Sequence, residues 1–210
     1  ISESTETGSV YSREELKELY TCCKENGLYL FVDGARLGAA LATNLITIDD
    51  LAHYTDAFYI GGTKNGALLG EAIVVVNDAL KENFRFSIKQ NGGMYSKGFV
   101  AGIQFEALFT NDLFLKLAIN ANECAKLLQD AANNMNVEIK YEIQGNGKIE
   151  NKLSINDIKE STAVLFAADC EVEEIEDIER FIDCEYYEVE KQFIKNDASA
   201  VLNEILSDLN

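Results

Sequence analysis

Three short apolar runs dominate the first half of the chain. Residues 28–34 (LYLFVDG), 57–62 (AFYIGG) and 71–77 (EAIVVVN) are rich in β-branched and aromatic side chains and contain little alternation. Such runs are typical of strands that are covered on both faces. Helical patterns separate the first two runs, which predicts an α/β fold built on a mostly parallel sheet.

Helix boundaries are also marked in the sequence. Ser12 and Glu15 form a capping-box pattern, and the helix they open is expected to close at Gly27. From residue 83 to residue 130 the pattern is long and helical, with an interruption at Asn91–Gly93.

After the NNMN stretch (residues 133–136), a second series of strand and helix patterns begins. Residues 136–145 and two later runs, TAVLFAAD and EYYEVE, predict strands, while Ser154 and Asp197 are placed as helix N-caps. We therefore expect two domains, residues 1–130 and 131–210, which join inside a helix around residues 122–134.

The charge is unevenly distributed between these two segments. The formal net charge is -18; residues 1–130 carry 17 acidic and 11 basic side chains, and residues 131–210 carry 19 and 7. Such a chain is repelled by nucleic acid and by anionic membrane surfaces. The step in charge suggests two segments of different origin.

Other compositional features narrow the class further. No apolar run is long enough for a membrane span. The cysteines are five in number, an odd count, and no pair has the spacing of a metal site. These observations predict a cytoplasmic protein without structural disulfides.

Polar residues follow two of the predicted strands. Asp33 and Arg36 follow the first, whereas Thr63 and Lys64 follow the second. Strand carboxyl ends line the ligand crevice of an α/β sheet. An acid and a lysine at that edge suit pyridoxal phosphate, which needs a lysine for a Schiff base and an acid beside its ring nitrogen. The alternative is a solvated lysine and an aspartate that only caps a turn.

The segment up to about residue 130 resembles the low-specificity threonine aldolase and β-eliminating lyase family. The matching stretches are STETGSVYSREELKEL, LYLFVDGARLGAAL, TDAFYIGGTKNGALLGEAIVV and KQNGGMYSKGFVAGIQFEALF. The resemblance implies a pyridoxal-phosphate fold-type-I domain. It also implies a small amino acid substrate, cleavage of a β-hydroxy amino acid to glycine and an aldehyde, and a homo-oligomer in the complete family.

Roles for single residues come from the same resemblance. It makes Lys64 the Schiff-base lysine, Asp33 the partner of the ring nitrogen, and Arg36 a contact on the cofactor side. Lys97 falls where family members carry a basic residue near the cofactor phosphate. Thr63 is a candidate from its residue type and position alone, since it offers a hydroxyl to that phosphate. His53, the only histidine, lies in a helix pattern and is not expected to touch substrate.

The resemblance also implies parts that this sequence does not show. Family members have an upstream glycine-rich phosphate loop and a C-terminal arginine for the substrate carboxylate. We therefore expect an N-terminally truncated domain with an incomplete site.

Residues from about 126 onward resemble the IIB domain of the fructose-specific phosphotransferase system. The likeness rests on VEIKYEIQG, on the pattern at residues 149–158 and on AVLFAAD. That family's phosphorylated cysteine sits in a Cys-Pro-Thr-Gly loop, which is absent here because the chain contains no proline. Cys124 lies in a helix pattern, and Cys170 lacks neighbouring glycines.

The sequence therefore predicts a fusion of two incomplete fragments. A pyridoxal-phosphate lyase fragment is the first interpretation. A IIB-like phosphocarrier module and a non-catalytic two-lobed protein remain as alternatives.

Overall fold

The computed structural model describes residues 1–5, 8–141, 143–145, 148–150, 153–167, 179–181 and 183–209. The chain divides into two compact units, Ile1–Asn120 and Ala121–Asn210. The division falls inside one long helix, Leu113–Asn134, close to the region where the join was expected.

The helices of the first unit begin and end at the signals that the sequence carries. Ser12 caps the first helix through a capping box with Glu15, and Thr47 caps the third through one with Asp50. In chain order they are α1 (Arg13–Glu25), α2 (Leu37–Leu41), α3 (Ile48–Tyr54), α4 (Phe84–Gln90), α5 (Phe99–Phe109) and the start of α6 (Leu113–Asn134). In the part of the chain that the structure describes, none of the helices is long and apolar enough to cross a membrane.

The sheet of the first unit has three strands in the order β1 (Phe31–Val32), β2 (Ala57–Ile60) and β3 (Ala72–Val75). β1 and β2 are parallel, whereas β2 and β3 are antiparallel. The prediction of a mostly parallel sheet is therefore wrong for β3. Residues 61–71 contain no α-helix, and a connection this short turns the chain back instead of crossing over the sheet.

The N-terminal residues extend this sheet beside β1. Ser2 forms an isolated parallel bridge with Asp33. Asp33 N–H donates to the Ile1 carbonyl at 2.8 Å, and Glu3 N–H donates to the Asp33 carbonyl at 2.7 Å. The N–H and the carbonyl of Asp33 are therefore both held by the N-terminal segment.

The core of the first unit lies between the sheet and its helices. Each helix from α1 to α3 contributes a leucine that is fully buried, and β2 contributes two side chains to the same cluster. The principal members are Leu16, Leu37, Leu51, Phe58, Ile60, Phe105, Leu108 and Phe114. The pattern of the apolar runs predicted this core correctly for β2, which buries Phe58 and Ile60.

The described residues of the second unit form two small two-stranded sheets. β4 (Ile143–Gly145) and β5 (Lys148–Glu150) are antiparallel, and β6 (Val164–Ala167) and β7 (Tyr186–Val189) are parallel. Among the described residues of the strand predicted at residues 136–145, only Ile143–Gly145 are in a strand. Residues 137–141 have no ladder partner among the described residues, so the apolar alternation there does not produce a strand.

After the end of α6, the described residues of the second unit contain the helices α7 (Ile155–Glu160) and α8 (Lys191–Asp208). Ser154 caps α7 as predicted. Asp197 lies at a kink inside α8, where its Oδ1 accepts from Ala200 N–H at 2.9 Å. The predicted cap is thus present, but helical residues also precede it. Cys170 and residues 171–178 of the acidic run lie outside the described residues.

Candidate active site

Asp33 directly follows β1, and its carboxylate is held by two donors. Oδ1 accepts from Ala35 N–H at 3.0 Å and from the Tyr59 hydroxyl at 2.6 Å. The side chain is half-buried. The first bond closes a turn within the VDGA segment, while the second joins β1 to β2.

Lys64 lies on a short 3₁₀ turn, Thr63–Asn65, that follows β2. Its side chain is exposed. Gly66 ends the turn with a left-handed φ of 103°, a conformation that glycine adopts without strain. Asn65 fixes the turn by donating from Nδ2 to the Phe114 carbonyl at 2.7 Å.

The parallel pairing of β1 and β2 places Asp33 and Lys64 at the same edge of the sheet. Val32 is opposite Phe58 in the ladder, so Asp33 continues opposite Tyr59. Beyond that point Gly61 N–H donates to the Gly34 carbonyl at 2.9 Å. The sequence prediction that these two polar residues share one edge agrees with this register.

Gly34 and Gly61 are where the two backbones approach most closely. A Cβ on Gly34 would overlap the Tyr59 carbonyl oxygen, and one on Gly61 would overlap the Ala35 carbonyl oxygen. The obstructing atoms are backbone atoms, which cannot rotate away. The two glycines are therefore required for the turns that carry the acid and the lysine.

Gly61→Ala should lower the free energy of unfolding by about 1–3 kcal/mol, because an overlap with backbone forces the strands apart. Gly102→Ala is the matched control, since a Cβ there meets nothing within 4 Å and alanine favours the α5 helix. Urea unfolding of both variants gives the comparison. Equal stability of the two would contradict the close approach.

Glu71 contacts the turn that bears Lys64. Its Oε2 accepts from Gly62 N–H at 2.5 Å, and its Oε1 accepts from the Thr63 hydroxyl at 3.2 Å. Thr63 was predicted to offer its hydroxyl to a phosphate, but in this structure the hydroxyl donates to a carboxylate. Nothing in the residue pattern indicated this contact, because an exposed glutamate at the start of a strand is ordinarily solvated.

A second side chain holds the far end of the same loop. Gln104, on α5, accepts from Leu68 N–H at 2.7 Å and from Leu69 N–H at 3.3 Å through Oε1. Its Nε2 donates to the Leu69 carbonyl at 3.2 Å. Hydrogen bonds therefore stabilise both ends of the loop that carries Lys64, with Glu71 bound at one end and Gln104 at the other.

The structure gives fewer contacts for the remaining predicted site residues. Arg36 precedes α2 and is half-buried, and its charge acts on the phenol of Tyr59. Lys97 is exposed in the turn before α5, and no described hydrogen bond or ion pair joins its side chain to Asp33 or Thr63. His53 is exposed on α3, where Nδ1 lies 2.6 Å from the Asp49 carbonyl oxygen.

Tyr59 is the residue that sequence reasoning missed. It was treated as one apolar member of a buried strand, yet its hydroxyl binds the predicted acid. The contact depends on strand register, which the residue pattern of β2 does not show: once β1 and β2 pair in parallel, Tyr59 falls opposite Asp33. Burial, followed by the hydrogen bond to Asp33, raises the pKa of the Tyr59 phenol well above its usual value.

Comparisons with known proteins agree with one another, and their matches extend beyond the first unit. Two low specificity L-threonine aldolases, from a Pseudomonas species and from Pseudomonas aeruginosa, are 39% and 36% identical to this chain over 150 residues. Those alignments cover 70% of this chain and 43% of each relative.

A solved structure supports the same relationship. The threonine aldolase of Leishmania major matches with a TM-score of 0.64 and 44% identity, over 67% of this chain and 42% of that one. The chain thus spans less than half the length of the relatives it matches. The beta-eliminating lyase family model matches residues 1–152. The chain belongs to the beta-eliminating lyase family.

Proposed function

We propose that the chain is part of a pyridoxal-phosphate-dependent lyase of the threonine aldolase type. Its reaction is cleavage of the Cα–Cβ bond of a β-hydroxy amino acid, which gives glycine and an aldehyde. The observation that carries the proposal is the shared edge of Asp33 and Lys64 after the parallel strands β1 and β2. The threonine aldolases among the relatives support the reaction class.

The chemistry of the side chains at this edge suits the cofactor at its ring and at its aldehyde. Lys64 supplies an exposed amine, and Asp33 supplies a carboxylate whose position is fixed by two donors. Bound pyridoxal phosphate would act as an electron sink for the bond that breaks. Asp33 would hold the ring nitrogen, and Lys64 would hold the aldehyde carbon.

The residues expected near the cofactor phosphate fit it less well, because a carboxylate already occupies their donors. Gly62 N–H and the Thr63 hydroxyl are donors of the kind a phosphate accepts from, but both donate to Glu71. A phosphate at these donors would have to displace the carboxylate, and the two anions would repel each other. Arg36 is the nearby cation that the resemblance places on the cofactor side. We propose that Thr63 serves the phosphate only after Glu71 has moved away.

The loop contacts give Lys64 a defined place before any ligand arrives. Glu71 and Gln104 hold the loop at its two ends, and Asn65 fixes the turn itself. A lysine on a fixed turn loses less conformational freedom when it reacts than one on a mobile loop. The turn therefore orients the amine, which is the contribution of this chain that the described contacts support best.

The test is covalent trapping of pyridoxal phosphate by borohydride, followed by mass spectrometry of the peptides. We expect the label on Lys64 and its loss in Lys64→Ala. The control is Lys81→Ala, which removes a lysine of the same unit whose Nζ binds Asp78 at 2.7 Å; the label should remain. Label distributed equally over several lysines would contradict the proposal.

For the second unit the IIB-like assignment stays a prediction. The capped helix α7 and the strands β6 and β7 lie where the sequence pattern predicted them, and many small α/β units contain such elements. The fusion of two fragments, the homo-oligomer and the cytoplasmic location likewise stay predictions.

A further inference from the structure

Tyr59 connects the two strands that carry the proposed site. It lies in β2, next to the position where β1 ends and Asp33 begins. Its hydroxyl donates to Asp33 Oδ1 at 2.6 Å, and its ring lies 6.2 Å from the ring of Phe31, centroid to centroid. The phenol is thus packed by an aromatic neighbour of the adjacent strand and directed at the carboxylate.

The direction of this hydrogen bond is fixed over the neutral pH range. Burial raises the pKa of the phenol, and the hydrogen bond and negative charge of Asp33 raise it further; Glu71 acts in the same direction and Arg36 opposes it. The proton therefore stays on Tyr59 Oη, and Tyr59 always donates. Hydrogen bonds to charged acceptors are shorter and stronger than neutral ones.

Both donors to Asp33 use the same oxygen. Oδ1 accepts from Ala35 N–H and from Tyr59 Oη, and no hydrogen bond to Oδ2 is found among the described residues. Two bonds to one oxygen fix the plane of the carboxylate. They leave the other oxygen for a ligand.

We propose that Tyr59 is a positioning residue that acts through Asp33: its hydroxyl holds Oδ1, so that Oδ2 is presented to the ring nitrogen of pyridoxal phosphate. The inference rests on the proposed function, because it needs the cofactor at this edge. It adds a residue whose part in the site is set by its contact with Asp33 and not with the ligand.

The test compares two ligands that differ only at the ring nitrogen. Pyridoxal phosphate has that nitrogen, whereas 1-deazapyridoxal phosphate has a C–H group in its place. Tyr59→Phe keeps the ring and removes the hydroxyl. The matched control is Tyr29→Phe, a tyrosine of the same segment that is 58% exposed.

We expect Tyr59→Phe to weaken pyridoxal phosphate binding roughly tenfold, the order expected for a hydrogen bond to a charged group. Binding of the deaza analogue should change less than about twofold, and Tyr29→Phe should affect neither ligand. Equal weakening of both ligands would show that Tyr59 acts only on the fold, and it would overturn the proposal.

A second measurement needs no cofactor. The ¹³Cγ resonance of Asp33 at pH 7, assigned by its loss in Asp33→Asn, should move in Tyr59→Phe and stay in Tyr29→Phe. An unmoved resonance would overturn the proposal. Lys64→Ala separates the proposed function from the positioning role: if borohydride still traps the cofactor on this variant at the wild-type level, the proposed function fails and the positioning role fails with it. If the trapped label is lost in Lys64→Ala but Tyr59→Phe behaves like Tyr29→Phe, only the positioning role fails.

Discussion

Asp56→Ala should lower the free energy of unfolding by about 3 kcal/mol. Asp56 is almost wholly buried and accepts from Leu30 N–H at 2.7 Å and from Asn77 Nδ2 at 2.6 Å. Lys24 Nζ donates to both of its oxygens at 2.6 Å. Removing the carboxylate leaves these donors without their acceptor, and breaking such a buried group costs about 3–5 kcal/mol. The lower value applies because the Lys24 side chain is 35% exposed.

Chemical denaturation at pH 7 measures this effect. Asp78→Ala is the control, since its ion pair with Lys81 lies on the surface, and its denaturation midpoint should not change. Burial acts to raise the pKa of Asp56, but hydrogen bonds from Asn77, Lys24 and Leu30 outweigh it and hold the pKa below its usual value. The stabilisation by Asp56 is therefore lost as the pH falls. A midpoint for Asp56→Ala equal to that of the control would contradict this account.

In contrast to Asp56→Ala, Glu3→Gln should raise the free energy of unfolding at pH 8. Glu3 is fully buried, and Oε1 has no partner among the described residues. Burial raises the pKa of its carboxyl to about 7, a hydrogen bond from Tyr11 N–H partly offsets this, and Glu15 adds to the rise. Because the pKa is higher in the folded state, stability is greatest below pH 4.5 and falls as the pH rises through about 7.

The size of this effect follows from the difference between the two pKa values. A rise from 4.5 to about 7 corresponds to about 3 kcal/mol of lost stability at pH 8. The glutamine that replaces Glu3 has an unpaired amide N–H, which costs about 1 kcal/mol. The expected net gain in stability is therefore about 2 kcal/mol. The measurement is the free energy of unfolding from pH 4 to pH 8, with Glu18→Gln as the exposed control. A variant that keeps the wild-type pH dependence would show that Glu3 is not its source.

The sequence predicts helix boundaries in this chain better than it predicts the direction of a strand within its sheet. Ser12, Ser154 and Asp197 cap helices where expected, because a cap is decided by one side chain and a backbone amide three residues away. The direction of β3 depends instead on how residues 61–71 return to the sheet. The apolar run of β3 is the same for either direction, so its pattern could not decide.

The candidate site shows a similar division. Asp33 and Lys64 could be chosen because their residue types suit the cofactor and both follow predicted strands. Tyr59 and Glu71 could not, because their contacts depend on the register of β1 with β2 and on the path of the loop. Glu3 could not either, since the stretch ISESTE is polar and gives no indication that one of its carboxyls is buried.

The lysine turn lies in the shorter of the two connections that build the sheet. β2 returns to β3 through residues 61–71, whereas β1 reaches β2 through residues 33–56. Closing a loop of about half the length costs about 0.6 kcal/mol less, and contacts between residues near in sequence form faster during folding. The hairpin that carries Lys64 is therefore expected to close before Asp33 arrives beside Tyr59. We therefore expect the turn that carries the Lys64 amine to form first, and the Asp33 carboxylate to pack beside that turn afterwards.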